Sequence, residues 1–121
     1  MTTDIVTEKR VSFETAKLLD EKGWAIACHA AYLINDDKVE LIYPEDGEEF
    51  NYCAPTLQMA MNWLRVLHHI FVQIELYSKY DDYTYEIFQN THRLMLEKRE
   101  TFSTPEEAAD SAIKYCLENL I

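Results

Sequence analysis

The chain has 121 residues, of which 22 are acidic and 11 are basic, so its formal net charge is −11 at pH 7. This charge repels nucleic-acid phosphates and anionic membrane surfaces, and we therefore expect no direct nucleic-acid partner and no membrane partner. The hydrophobic content of 48% is ordinary for a globular protein. We predict a flexible N-terminus over residues 1–10 and a single domain over residues 11–121.

Both ends of a first helix are specified by the residues around it. Ser12 is a favourable N-cap, and Val11 is placed to contact Ala16 as a hydrophobic staple. Gly23 favours a left-handed stop, and Trp24 stands where a Schellman motif places an apolar residue. The pattern predicts a short helix from Ser12 to just before Gly23.

A β-hairpin is predicted next. The β-prone runs 30–35 and 38–43 are separated by Asp36-Asp37, which favours a turn. Residues 50–54 are interpreted as the lead into a second helix, which starts either at Pro55 or after Thr56 as its cap.

The stretch from residue 54 to residue 77 is the centre of the predicted fold. Most of its helical circumference is apolar, which predicts a helix buried on several sides. The period then changes to two, which predicts a strand with Val72, Ile74 and Leu76 on its buried face. The polar residues form one narrow stripe on the helix, namely Gln58, Asn62, Arg65 and His69.

A second hairpin and a final helix complete the pattern. Residues 71–77 and 83–89 alternate on either side of a turn, and Leu94 and Leu96 suggest a weaker fifth strand. Thr104 begins a capping box before the last helix. The order α-β-β-α-β-β-(β)-α predicts an α+β, two-layer fold with three helices and a mainly antiparallel sheet of four or five strands.

Period two also predicts which side chains of the second hairpin face away from the helices. On the first strand these include Glu75 and Tyr77, and on the second strand they are Thr84, Glu86 and Phe88. Aromatic residues exposed among polar neighbours are typical of interfaces. The candidate interaction surface therefore consists of Glu75, Tyr77, Glu86 and Phe88.

The cysteines and histidines show no ligand or catalytic spacing. Cys28, Cys53 and Cys116 lack a short paired spacing, and no apolar leader is present, so we predict three free thiols in a reducing cytoplasm. His68 and His69, as helix neighbours, point about 100° apart and are not expected to share a metal ion. We expect neither a metal nor a cofactor.

Three segments carry a resemblance to a known group of proteins: VSFETAKLLDEKGW, APTLQMAMNWLRVLHHI and TFSTPEEAADSAIKYCLENLI. In this order they resemble small uncharacterised proteins of gut Bacteroidota and their prophages. The resemblance covers residues 11–121, with variable stretches between residues 28 and 51 and between residues 90 and 100. That group has no assigned activity, so the resemblance implies a mobile-element origin and a cytoplasmic location, and it transfers no functional residue.

Three functions follow as hypotheses. The first is a non-enzymatic cytoplasmic accessory protein that binds another protein or a second copy of itself. The second is an acidic mimic of nucleic acid that inhibits a host DNA- or RNA-binding protein. The third is a small enzyme that uses Cys28, His29 or His92, and it requires these groups to converge in a cleft.

Overall fold

The fold belongs to the α+β class. A computed structural model describes residues 9–77, 82–90, 92–94 and 100–121, and this part of the chain contains three helices and two three-stranded antiparallel sheets. The chain forms two compact units, Met1–Leu57 and Gln58–Ile121. The elements are α1 (Phe13–Glu21), β1 (Ala31–Asn35), β2 (Lys38–Ile42), β3 (Tyr52–Cys53), α2 (Leu57–His68), β4 (Ile70–Tyr77), β5 (Asp82–Gln89), β6 (His92–Arg93) and α3 (Pro105–Asn119).

Helix α1 has the predicted caps at both ends. The Ser12 hydroxyl accepts a hydrogen bond from the Thr15 N–H at 3.3 Å, which satisfies one of the open donors of the first turn. At the other end Gly23 has a φ of +96°, and the Trp24 N–H donates to the Leu19 carbonyl at 3.0 Å. This is the Schellman arrangement, and it confirms the predicted stop.

The first hairpin is also confirmed. Strands β1 and β2 pair antiparallel, with Asn35 opposite Lys38 at the turn. Asp36 and Asp37 both have positive φ, at +47° and +65°. Two consecutive left-handed residues match the twist of the flanking strands, and Asp tolerates this conformation better than most residues.

Strand β3 was not predicted. Residues 50–54 were interpreted only as the lead into a helix, yet Cys53 pairs with Ala31, and Tyr52 pairs with Tyr32. Both tyrosine rings contact Phe13 of α1 edge-on at 5.7 Å. Two residues are too few to show an alternating pattern, so this strand depends on partners that are distant in sequence.

The single sheet of four or five strands was a wrong prediction. The strand orders are β2-β1-β3 in one sheet and β4-β5-β6 in the other. Strand β6 ends before Leu94, although the Leu94 N–H still donates to the Ile87 carbonyl at 2.8 Å. Leu96 lies outside the described residues. Alternation along the sequence indicates that a segment is a strand, but it does not show which strands pair with one another. The prediction that all strands form one sheet therefore had no support in the pattern.

Helix α2 is buried on one side, and the prediction of burial on several sides was wrong. It begins at Leu57, directly after Thr56. Trp63 and Leu64 are buried, whereas Val66 and Leu67 are exposed by 55% and 59%. An apolar side chain is tolerated at a surface, so a narrow polar stripe does not force the remaining circumference inside.

His69 does not belong to the polar stripe of α2. The helix ends at His68, and His69 has a φ of +56°, which turns the chain directly into β4. The His69 carbonyl accepts a hydrogen bond from the Asn90 N–H at 3.1 Å. A residue at positive φ cannot continue a right-handed helix. The predicted polar stripe should therefore have ended within the helix, before His69.

The predicted flexible N-terminus lies mostly outside the described residues. Its last two residues are bonded to the chain around residue 55. The Lys9 carbonyl accepts the Leu57 N–H at 3.0 Å, and the Arg10 guanidinium donates to the Ala54 carbonyl at 2.8 Å. The described structure thus begins two residues before the predicted domain boundary.

The predicted N-cap of α3 at Thr104 is confirmed and gives a local test of the fold. The Thr104 hydroxyl accepts a hydrogen bond from the Glu107 N–H at 3.1 Å.

We expect Thr104→Ala to lower the free energy of unfolding by about 1 kcal/mol, because the Glu107 N–H in the first turn of the helix loses its hydrogen-bond partner. Thr104→Asp should be nearly neutral, since Asp also caps. Urea unfolding of the three chains measures both effects, and equal stability of parent and Thr104→Ala would contradict the cap.

Candidate interaction surface

The register of β4 and β5 divides their side chains between two faces. Val72 lies opposite Ile87 and Ile74 opposite Tyr85, so these four residues share one side, which we call the inner face. Helix α3 covers the inner face, and the Tyr85 hydroxyl is hydrogen-bonded to Ser111 of that helix. The opposite side, called the outer face, carries Phe71, Gln73, Glu75 and Tyr77 of β4 and Asp82, Thr84, Glu86 and Phe88 of β5.

All four residues of the predicted surface share the outer face. Glu75 and Tyr77 belong to β4, and Glu86 and Phe88 belong to β5. Tyr77 is 39% exposed, while the other three are partly exposed. The alternation in the sequence thus placed these side chains on one side of the sheet correctly, although they lie along its length and do not form a compact cluster.

Phe71 is the outer-face residue that the sequence reasoning missed. It lies directly opposite Phe88 and is 47% exposed. The signal was present, because the alternation that exposes Gln73 also places Phe71 on the same side. Phe71 belongs to the predicted strand 71–77, but the assignment of side chains to faces began at Val72 and left it out.

The prediction that Thr84 is exposed on the outer face was wrong. It was predicted to be exposed, but it is 2% exposed, and its hydroxyl donates to the Glu100 carbonyl at 2.8 Å. The segment beside it is anchored by Phe102, which exchanges backbone hydrogen bonds with Tyr83 at 2.7 Å. Because this segment has no strand pattern, its position over Thr84 could not be predicted from alternation.

The predicted burial of Val72, Ile74 and Leu76 on the inner face was only partly correct. Leu76, assigned to the buried set, is 56% exposed, and Val72 and Ile74 are half-buried. Ile87 is fully buried, whereas Tyr85 is only partly so. Alternation indicates on which side of the sheet a side chain lies. How deeply that side chain is buried depends on how far the covering helix extends along the strand.

Arg93 of β6 brings a cation to the outer face. Its guanidinium lies 3.2 Å from the Glu86 carboxylate, and Arg93 also lies opposite Phe88 in the β5–β6 register. The side chain of Arg93 is 52% exposed and that of Glu86 is 18% exposed. A partly solvated pair of this kind stabilises the fold by at most about 1 kcal/mol, so its main effect is to position the two side chains.

The cysteine prediction was wrong for two of the three residues. Cys28 and Cys53 form a disulfide with a Cα–Cα distance of 5.4 Å, and only Cys116 is free. The bridge links the segment after α1 to β3 across 25 residues of sequence. Because connectivity depends on spatial proximity, an odd number of cysteines without close spacing could not reveal this pair.

The enzyme hypothesis named Cys28, His29 and His92, and the structure gives each of them different contacts. Cys28 is held in the disulfide, so its sulfur is not a thiolate nucleophile in this state. The His29 ring contacts Tyr43 edge-on at 6.0 Å, and His92 is exposed on β6. His68 contacts the Trp63 ring at 4.8 Å. Among the described residues, no group of three or more His, Cys, Asp or Glu side chains is arranged to hold a metal ion.

Cys116 is a buried thiol on the inward side of α3. Burial raises its pKa from 9.0 to about 12, because the thiolate would lose its hydration there. Burial also raises the pKa of Tyr85, against the opposing effect of its hydrogen bond to Ser111. Both groups are therefore neutral near pH 7, and neither is an activated nucleophile or base.

Comparison with known proteins gave no relative: no family model, no curated protein and no solved structure matches the chain. Within the described residues, no helix has the length and apolar character needed to cross a bilayer.

A thiol count tests the cysteine arrangement. With a bridged pair and one buried thiol, the native protein should show no reactive thiol, the denatured unreduced protein one, and the denatured reduced protein three. Ellman's reagent provides the count, and Cys116→Ala is the control that should show none in denaturant before reduction. A count of three in denaturant without reductant would refute the bridge.

The raised pKa of Cys116 also predicts an alkaline loss of stability. The folded thiol retains its proton above the unfolded pKa of 9.0, so the free energy of unfolding should fall as the pH rises from about 9 towards 12. The slope contributed by this one group is about 1.4 kcal/mol per pH unit. Cys116→Ala keeps the other alkaline titrations, so urea melts across this range should decline less steeply for the variant. Parallel declines would contradict the assignment.

Proposed function

We propose that this chain is a non-enzymatic accessory protein that acts by binding another protein through the outer face of β4 and β5. The observation that carries the proposal is the aromatic pair Phe71 and Phe88, placed opposite one another on the side away from α3. Phe71 is 47% exposed, and Tyr77 on the same side is 39% exposed. Exposed aromatic residues of this kind are the usual anchors of protein interfaces.

The spacing of these aromatic residues favours a macromolecular partner. Phe71 and Tyr77 stand six residues apart on one strand, which corresponds to about 20 Å. This span exceeds a small ligand and fits within one protein interface of ordinary size. Each well-buried aromatic anchor contributes on the order of 2 kcal/mol to such an interface.

The charges on the outer face indicate which kind of protein would bind there. Glu75 and Asp82 lie on the outer face, and the Glu86 carboxylate is paired with Arg93. Together with the net charge of −11, this favours a partner whose aromatic-binding surface is bordered by Lys or Arg side chains. Such complementarity raises the association rate and weakens as salt is added.

The state of the cysteines supports a non-enzymatic function. A cysteine enzyme needs a thiolate beside a base, whereas the sulfur of Cys28 is bonded to Cys53 and the thiol of Cys116 is buried with a raised pKa. Neither arrangement supplies a nucleophile.

An acidic mimic of nucleic acid is the second candidate function. The observation that favours it is the turn after β2, where Glu45, Asp46, Glu48 and Glu49 are all exposed. Gly47 in this turn has a φ of +84°, and the Glu48 N–H donates to the Glu45 carbonyl at 3.0 Å, so the backbone turns tightly between these acidic residues. A DNA- or RNA-binding protein would then bind this turn and not the outer face.

The cellular location and origin remain predictions. The resemblance to prophage-related proteins supports a mobile-element origin. A cytoplasmic location was inferred from free thiols, and the bond between Cys28 and Cys53 withdraws that support, because disulfides persist mainly in oxidising compartments.

The proposed binding face is tested with a Tyr77→Ala, Phe88→Ala double variant. A binding protein would first be captured from the host with the parent chain, and its affinity would then be measured with purified components. We expect the double variant to bind about 30-fold more weakly or worse, because aromatic anchors are lost from the interface.

The matched control is a Val66→Ala, Leu67→Ala double variant, which removes exposed apolar side chains from α2 instead. It should bind like the parent, and circular dichroism should show that all three chains are folded. If the outer-face variant retains the parent affinity while substitution of the 45–49 carboxylates abolishes binding, the acidic mimic replaces the present proposal.

A further inference from the structure

One hydrogen bond establishes which backbone groups of β4 face β5. His69 stands opposite Asn90 in the β4–β5 register, and the Asn90 N–H donates to the His69 carbonyl. Hydrogen-bonded and non-hydrogen-bonded pairs alternate along antiparallel strands. The odd-numbered residues of β4, beginning with Phe71, therefore direct their N–H and C=O groups towards β5.

The even-numbered residues of β4 direct these groups away from β5. They are Ile70, Val72, Ile74 and Leu76. The hydrogen bonds on the far side of β5 agree with this assignment, since Tyr83 bonds to Phe102 and the Ile87 carbonyl accepts the Leu94 N–H. Among the described residues, β4 is one of the two edge strands of its sheet, so these outward groups lie along an edge of eight residues.

Strand β4 carries few of the features that prevent edge pairing. Natural edges are commonly protected by Lys, by Pro, by bulges or by being short. In contrast, β4 is eight residues long, pairs with β5 without a bulge and contains neither Lys nor Pro. Its only charged residue is Glu75, and Phe71, Leu76 and Tyr77 are exposed. An edge of this kind favours the addition of another strand.

The sequence of β4 is complementary to itself in one antiparallel register. With Ile74 opposite its own copy, Val72 faces Leu76 of the second chain, and all three direct their backbone groups outward. On the outer face, Phe71 then faces Tyr77 of the second chain, so that exposed aromatic side chains meet across the strands.

The one charged residue also fits this register. Glu75 lies opposite Gln73 of the second chain and not opposite another carboxylate. Within one chain the same two side chains already approach each other, with 3.4 Å between the Gln73 amide nitrogen and the Glu75 carboxylate. A like-charge pair across the strands, which would destabilise the pairing, is therefore avoided.

We propose that two copies of this chain associate through antiparallel pairing of their β4 edges, centred on Ile74, to form a continuous six-stranded sheet. The inference extends the proposed binding function to a second surface and is tested separately from it. Phe88 lies on β5, away from the edge, whereas the outward N–H of Leu76 belongs to the edge and its side chain to the inner face.

Salt distinguishes this partner from a basic peptide on the same edge. Two chains of charge −11 repel each other, and added salt screens that repulsion, so self-association should tighten as salt increases. A Lys-rich extended peptide would show the opposite trend, since its attraction is screened.

The experiment is sedimentation equilibrium of the full chain over a concentration series at low and high salt. We expect a reversible shift from the 14.3 kDa chain mass towards twice that mass, with a lower dissociation constant at high salt. Leu76→Pro removes the outward N–H and should raise the dissociation constant about tenfold relative to Leu76→Ala, which keeps it.

Two substitutions at Gln73 test the register without altering the backbone. Gln73→Glu places a carboxylate opposite Glu75 of the second chain twice in the dimer, and it should raise the dissociation constant about tenfold. Gln73→Lys should leave it unchanged or lower it, although Lys at a sheet edge ordinarily blocks pairing. Circular dichroism establishes folding for each variant.

Phe88→Ala is the control that separates this proposal from the binding-face proposal. It should weaken binding to another protein and leave the dimer intact. The edge-pairing proposal fails if the parent remains at the chain mass at every concentration, if a Lys-rich peptide is the only species that binds the edge, or if the dimer forms equally well with Leu76→Pro and Gln73→Glu.

Discussion

The antiparallel register between β4 and β5 is the constraint on which the interaction surface depends. With Ile70 opposite Gln89 and Tyr77 opposite Asp82, every side chain of both strands is assigned to one of two faces. A slip of one residue would exchange the faces and expose the residues now beneath α3. The same register determines which backbone groups point to the sheet edge, so the outer face and the edge have a common origin.

Helix α3 makes this register energetically necessary. Its buried side, including Ile113 and Leu117, covers the inner face, and Cys116 lies there with a pKa raised by burial. Only a register that places apolar side chains under the helix satisfies this packing. The helix thus packs against one side of the sheet, whereas on the outer face Phe71 and Tyr77 are exposed and Thr84 is covered beside Glu100.

The first unit is stabilised in a different manner. Its sheet includes a strand of only two residues, and α1 contacts that sheet through Phe13 against Tyr32 and Tyr52. A small apolar core provides limited stabilisation, and small domains commonly add a covalent link. The bond between Cys28 and Cys53 supplies that link by joining the segment after α1 to β3. By constraining the unfolded chain across 25 residues, such a bond contributes about 3.5 kcal/mol in the chain-entropy model.

Local signals in the sequence determined the ends of α1, the Asp36-Asp37 turn, the Thr104 cap and the alternation that places Glu75, Tyr77, Glu86 and Phe88 on one face. Each of these depends on residues a few positions apart, so the physical cause is contained in a short window. Tertiary structure alone decided the disulfide, strand β3, the division into two sheets, the cover over Thr84 and the one-sided burial of α2. These features require groups that are distant in sequence to meet in space, and a local pattern carries no information about which distant groups those are.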